Sequence, residues 1–139
     1  MPENPLDLRG MAPLIPVADM ATSLRFYRDV LGLQLTQTSV PPVKPENYHW
    51  VLLELGGIQL MLESIYEEDA QPAERGPATQ KKDMVLYFGC PDLDTAHARL
   101  TANGVEVEGP VNTGYGFKAL YFRDPDGFLV VFHWPQEGN

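Results

Sequence analysis

A short pattern of residues occurs twice in this chain of 139 residues and constrains its fold more than any other feature. Asp19 precedes a helical pattern that ends at Gly32, and Asp92 precedes a second one that ends at Gly104. Later in each half a turn leads into an apolar strand, at residues 56–62 and again at 126–132. Asp92 stands 73 positions after Asp19, and Gly127 stands 70 positions after Gly57. This duplication predicts two similar modules.

The length of the chain favours one domain over residues 1–139, because half of that length could bury too little apolar surface to be stable alone. Hydrophobic residues make up 44% of the chain and charged residues 21%, a balance typical of globular proteins. We expect the first module at about 10–65, a polar linker at about 66–82 and the second module at about 83–135.

The charge balance limits the partners. Nineteen acidic residues face ten Lys and Arg, for a net charge of −9, which argues against nucleic acid as a partner. The acidity is compatible with a cationic ligand, or with nothing more than solubility. Neither a signal sequence nor a run of about 18 apolar residues is present, so we expect no membrane contact and a cytoplasmic location. Cys90 is the only cysteine, which rules out an intrachain disulfide.

Hydrophobic periodicity and turn residues predict the same order of elements in both halves. The first half reads as strand, helix and three strands, at 12–17, 20–31, 33–38, 48–55 and 58–64, with a Pro-rich loop at 40–45 that is long enough to overhang a pocket. The second half reads as the same series, at 84–90, 94–103, 105–108, 117–123 and 128–134. Each half is therefore a βαβββ module.

Two segments carry a resemblance to a known family. The segments SLRFYRDVLGL at 23–33 and YFRDPDG at 121–127 are similar to those of the vicinal oxygen chelate superfamily, which includes glyoxalases, extradiol dioxygenases, fosfomycin-resistance enzymes and bleomycin-resistance proteins. The likeness spans about 12–134. It implies an α+β fold in which two tandem βαβββ modules form a cup of curved mixed sheet. It also implies a homodimer, because members of this length commonly build each cup from two chains.

The resemblance also locates the positions that bind a divalent cation in the metal-using members, usually through His and Glu. Those positions fall here at Ala12, Met61, Asp83 and Val131. A methyl, a thioether and an isopropyl group cannot replace those ligands, so we expect no metal and no other cofactor. A displaced site remains an alternative, because Glu63 and His133 share strand faces with Met61 and Val131 and could converge with Asp83.

Strand alternation predicts what lines the cup instead. Tyr87 shares a face with Asp83, and Phe117 shares one with Tyr121, which stands where extradiol dioxygenases carry an active-site Tyr. For any one of these positions ordinary core packing is the competing interpretation. The predicted ligand-binding residues are Trp50, Met61, Glu63, Asp83, Tyr87, Tyr115, Phe117, Tyr121 and His133.

The leading hypothesis is a metal-free small-molecule binding protein of the bleomycin-resistance type, which sequesters a hydrophobic or aromatic, and preferably cationic, ligand and so confers antibiotic resistance. The alternative is an enzyme. It would be a lyase or isomerase that uses Glu63, Asp83, His133 or Tyr121 for acid–base chemistry, or a metal-dependent dioxygenase-like enzyme with the displaced site. A regulatory or accessory binding domain is a third interpretation, and the sequence alone leaves the three open.

Overall fold

The computed structural model describes residues 4–41, 44–65 and 84–136. The first half contains β1 (Leu14–Val17), α1 (Met20–Leu24) continued by a π-helical segment (Arg25–Val30), β2 (Gln34–Thr38), β3 (Trp50–Leu55) and β4 (Ile58–Ser64). The second half contains β5 (Val85–Gly89), α2 (Leu93–Ala102), β6 (Glu108–Asn112), β7 (Phe117–Arg123) and β8 (Leu129–Pro135). No helix in these ranges is long and apolar enough to cross a membrane.

The two halves form two sheets of identical topology. Sheet 1 has the strand order β1-β4-β3-β2 and sheet 2 has the order β5-β8-β7-β6. In each sheet the first and last strands of the module pair in parallel, and the other pairings are antiparallel. This arrangement confirms the predicted α+β fold of two tandem βαβββ modules. The predicted linker at 66–82 lies outside the described residues.

One strand was predicted in the wrong place. The sequence pattern predicts a strand at 105–108, but β6 begins at Glu108 and continues through Gly109 and Pro110. Glu108 pairs with Tyr121 and Val111 with Ala119, so the strand contains a bulge between these two pairs. A bulge accommodates a Gly-Pro pair that would otherwise end a strand. The other strand boundaries differ from the predicted ones by at most two residues.

The two helices begin in different ways, although the sequence predicts an Asp cap for both. Asp92 caps α2, because its carboxylate accepts a hydrogen bond of 3.0 Å from the backbone N–H of Thr95. Asp19 occupies the equivalent position before α1 but makes no side-chain cap hydrogen bond. Its carboxylate accepts instead from the Thr22 hydroxyl at 2.6 Å. Asp19 is therefore the N-cap residue, as predicted, but its carboxylate bonds the Thr22 side chain and not a backbone N–H of the first turn.

The helices cover one face of each sheet and leave the other face uncovered. Ile15 and Leu62 of sheet 1, and Leu120 and Val130 of sheet 2, are fully buried in a core that also contains Leu24 from α1. Because side chains alternate along a strand, the neighbours of these residues point to the opposite side. We call that side the open face of each sheet.

The modules are joined through the first helix. Its Phe26 packs against Phe122 of β7, with ring centroids 6.1 Å apart. Arg99 of α2 donates hydrogen bonds to the backbone carbonyls of Val30 and Asp29, at 2.7 and 3.1 Å. These contacts hold both modules around one core, so that the two open faces point away from the helices.

Candidate functional site

The open face of sheet 2 carries a row of aromatic side chains at matched register. Tyr87 of β5 pairs with Val131 of β8, which pairs on its other side with Tyr121 of β7. One pleat further, His133 lies between Gly89 and Ala119. The strand alternation that predicted Tyr87, Tyr121 and His133 on one surface therefore holds across three neighbouring strands.

Ring contacts and strand register bring together what we call the aromatic cluster: Tyr87, Tyr115, Phe117 and His133 through their rings, and Tyr121 through its pairing with Val131. The imidazole of His133 stacks on the ring of Phe117, with a centroid distance of 4.7 Å and an interplanar angle of 20°. Tyr87 meets the same imidazole edge-on at 5.0 Å, and Tyr115 lies 5.5 Å from Phe117. Tyr115 lies in the turn before β7, so a turn and three strands build the cluster.

The cluster remains accessible from outside. Tyr87 is 54% exposed and Tyr115 is 56% exposed, which is unusual for aromatic side chains that already contact one another. Partial desolvation raises the pKa of the Tyr87 phenol, and the neighbouring Tyr115 and Tyr121 phenols raise it further. Tyr87 is therefore neutral at physiological pH and can donate a hydrogen bond.

His133 contains a polar atom that the protein leaves unused. Its Nδ1 is inaccessible to solvent and has no hydrogen-bond partner among the residues that the structure describes. The small neighbours Gly89 and Ala119 leave room for the imidazole between the rings of Tyr87 and Phe117. An unpaired buried polar atom costs free energy, and such atoms are few in folded proteins.

The open face of sheet 1 carries the other predicted residues. Trp50 of β3 pairs with Glu63 of β4, and Met61 lies between Leu14 and Leu52. All three predicted residues, Trp50, Met61 and Glu63, are half-buried. The predicted site residues thus fall into two groups on different sheets of one chain. The remaining one, Asp83, lies outside the described residues, as do two residues of the Pro-rich loop.

A polar network on sheet 1 was not predicted. Glu54 accepts hydrogen bonds from the Thr36 hydroxyl at 2.7 Å and from the Gln59 amide at 2.9 Å. These bonds lower the pKa of the Glu54 carboxyl, which is therefore ionised. Gly89 on sheet 2 was missed as well. Period-two alternation from Met61 places Gln59 on this face of β4, as predicted, and the same count from Tyr87 along β5 could have found Gly89.

Three of the four residues at the family's metal-binding positions do not fit a metal ion, and the fourth, Asp83, lies outside the described residues. Ala12 and Val131 have hydrocarbon side chains, and Met61 offers only a thioether sulfur. Val131 is also fully buried. Across residues 4–41, 44–65 and 84–136, no three His, Cys, Asp or Glu side chains lie close enough together to hold an ion.

Comparison with known proteins finds relatives in sequence and in fold. The chain is 29% identical over 122 residues to a lactoylglutathione lyase of Haemophilus influenzae, an alignment that covers 86% of this chain and 87% of the relative. The structure of TnmS3, an antibiotic binding protein from Streptomyces sp. CB03234, superposes with a TM-score of 0.70 at 23% identity, covering 94% of this chain and 98% of that one. TioX from Micromonospora sp. ML1 superposes with a TM-score of 0.71 at 20% identity, covering 93% and 100%.

The fold and its uncovered sheet faces define a class of proteins built from paired βαβββ modules. Residues 11–132 match the Glyoxalase/Bleomycin resistance protein/Dioxygenase superfamily. The chain belongs to this superfamily. Membership establishes the architecture but leaves the chemistry to the side chains of the individual protein.

Proposed function

We propose that this protein binds a hydrophobic or aromatic small molecule against the aromatic cluster of sheet 2, and sequesters it without a bound metal. The observation that carries the proposal is the stack of His133 on Phe117, flanked by Tyr87 and Tyr115, beside a position where Val131 replaces a metal ligand. A planar guest would gain about 0.5–1.5 kcal/mol from each well-placed ring.

The charge of the chain supports a cationic guest. The net charge of −9 raises the local concentration of cations, and aromatic faces attract a cation by about 0.5–2 kcal/mol. The imidazole of His133, stacked on Phe117, extends the planar surface that such a ligand would contact. A ligand that combines a planar ring system with an ammonium group therefore suits this surface best.

The proposal includes a homodimer in the cytoplasm. The open face of sheet 2 leaves Val85 37% exposed and that of sheet 1 leaves Leu14 43% exposed, so neither sheet encloses a ligand by itself. A second copy that set its sheet 1 opposite sheet 2 would close a cup and would bring Trp50, Met61 and Glu63 toward the aromatic cluster. Size-exclusion chromatography with light scattering tests this part directly, and a monomer at micromolar concentration would contradict it.

Isothermal titration tests the binding function. The probes are bleomycin, daunorubicin as a cationic planar ring system, and N-acetyl-daunorubicin as its neutral counterpart. We expect daunorubicin to bind more tightly than the acetylated compound. Tyr115→Ala and Phe117→Ala should each weaken binding by about threefold to tenfold, because each removes one ring contact.

Leu55→Ala is the matched control. Leu55 is an exposed apolar residue beside the β3–β4 turn and lies outside the aromatic cluster, so its truncation should leave affinity unchanged. Absence of heat with all three probes would reject the ligand class. Equal affinity in wild type, Tyr115→Ala and Phe117→Ala would reject the site.

A second candidate function is acid–base catalysis as a lyase or isomerase. The imidazole of His133 and the neighbouring Tyr87 phenol, whose rings lie 5.0 Å apart, favour it, because both side chains are of types that serve as general acids and bases. Turnover of methylglyoxal–thiol adducts, hydroxyacyl thioesters or catechols that disappears in His133→Ala would support this function over sequestration.

A further inference from the structure

A cleft that borders the aromatic cluster at Tyr121 lies where the first helix faces the edge of sheet 2. It has a volume of about 880 Å³ and is walled on one side by residues of the first helix, from Thr22 to Val30. The opposite wall is formed by residues 103–108, which connect α2 to β6, and by residues 121–125 at the end of β7. This volume is within the usual range for small-molecule sites. Tyr121 is the one member of the aromatic cluster that also lines the cleft.

The deep part of the cleft is apolar. Phe26 is 7% exposed and Phe122 is 2% exposed, and their rings are tilted by 52° to each other. Val30, Val105 and Val107 continue this surface. The floor therefore offers aromatic and branched aliphatic contacts to a ligand. The hydrophobic core behind the floor is not accessible from the cleft.

The rim carries charged side chains of both signs. Arg25 and Arg123 contribute guanidinium groups, and Glu106 and Glu108 contribute carboxylates. Within the described part of the chain, none of these four residues takes part in a salt bridge. Arg123 donates only to the backbone carbonyl of Gly127, at 3.0 Å.

The other two carboxylates of the cleft are already engaged. Asp29 forms a salt bridge of 2.8 Å with Arg28. Asp124 accepts hydrogen bonds from the Tyr27 hydroxyl and from the backbone N–H groups of Asp126 and Phe128. Two positive and two negative side chains thus remain for a ligand.

We propose that this cleft binds a small zwitterion with an aromatic body, of the class of the aromatic α-amino acids. Its ring lies on the floor of Phe26 and Phe122, its carboxylate pairs with Arg25 or Arg123, and its ammonium group pairs with Glu106 or Glu108. A ligand with a single charge satisfies only one of the two sets and leaves the other unpaired. This site is independent of the function proposed for the aromatic cluster.

Titration of the ¹⁵N-labelled full chain, followed by its amide NMR spectrum, tests the proposal. The probes are L-phenylalanine, phenethylamine, which lacks the carboxylate, and 3-phenylpropionate, which lacks the ammonium group. With L-phenylalanine we expect saturable shifts of the amides of Arg25, Val30 and residues 104–107. The two singly charged probes should bind about fivefold to tenfold more weakly, since each loses one charged contact.

Variants separate this site from the aromatic cluster. Arg25→Gln and Glu106→Gln should each weaken L-phenylalanine binding by about fivefold, and Arg25→Lys should restore most of the loss. Phe117→Ala, in the aromatic cluster, should change nothing at the cleft. Shifts confined to the open face of sheet 2, equal binding of the three probes, or no saturable shifts would each overturn the proposal.

Discussion

The hydroxyl of Tyr27 donates a hydrogen bond of 2.7 Å to Oδ2 of Asp124, and this bond joins the first helix to the turn between β7 and β8. Both residues are buried, and they stand 97 positions apart in the chain. In the same turn, the carboxylate of Asp126 accepts from the backbone N–H of Ala18 at 3.1 Å. The two sequence motifs that resemble the superfamily therefore meet in space, where they fasten one module to the other.

Tyr27→Phe should destabilise the protein by about 1–3 kcal/mol, because it leaves the buried Asp124 Oδ2 without its donor. The free energy of unfolding from urea titration measures the effect. Tyr115→Phe removes a hydroxyl from an exposed tyrosine and is the control, with an expected change within about 0.5 kcal/mol. Similar losses in both variants would contradict a special role for the Tyr27–Asp124 bond.

The stability should also depend on pH through Asp124. Burial raises the pKa of its carboxyl above the ordinary 3.8, although the hydrogen bonds from Tyr27 and Phe128 act to lower it. The folded protein then holds this proton more tightly than the unfolded chain does. The contribution of Asp124 to stability is therefore greatest below pH 3.8 and is lost as the pH rises through the raised folded-state value.

Asp124→Asn cannot ionise and should remove this dependence. Between about pH 3 and about pH 7, the free energy of unfolding of the variant should improve relative to that of the wild type. Chemical denaturation at a series of pH values measures the difference. A difference that stays constant over the whole range would show that Asp124 does not titrate as its burial requires.

Gly109→Ala should be strongly destabilising. Gly109 has a φ of 105°, and a Cβ built on it would lie 2.6 Å from the carbonyl oxygen of Ala119. The strain and the clash together should cost about 2 kcal/mol or more. Gly114→Ala is the control, since a Cβ at Gly114 meets nothing within 4 Å. Thermal unfolding of both variants measures the contrast, and equal melting temperatures would show that the bulge in β6 can adapt.

The purified protein should retain no stoichiometric metal after incubation with zinc, nickel or manganese and subsequent dialysis. The reason is that Ala12, Met61 and Val131 offer no suitable donors at the positions where metal-using relatives bind the ion. Elemental analysis by mass spectrometry measures the metal content. Retention of one ion per chain in the wild type, lost in His133→Ala, would instead establish the displaced site of Glu63, Asp83 and His133.

Local sequence patterns determined the two modules and the faces of the sheets on which several side chains lie. Repeated caps, turns and apolar runs predicted both modules, because hydrophobic periodicity directly encodes which face of a strand or helix is buried. The alternation of side chains along a strand also placed Tyr87, Tyr121 and His133 on one surface. Each lies on a different strand, and every second side chain of a strand points to the same face of the sheet. The lack of metal ligands at Ala12 and Val131 follows from residue type alone.

Tertiary structure decided the rest. The contacts of Tyr27 with Asp124 and of Phe26 with Phe122 join segments about a hundred residues apart, and no local pattern specifies such pairs. The bulge at Gly109 depends on how closely β7 approaches, so the sequence pattern predicts a strand that ends at Glu108 and misses its continuation. The cleft exists only because the first helix packs beside β6 and β7. Periodicity determines which face of an element is buried, whereas the packing of complete modules determines which buried faces meet.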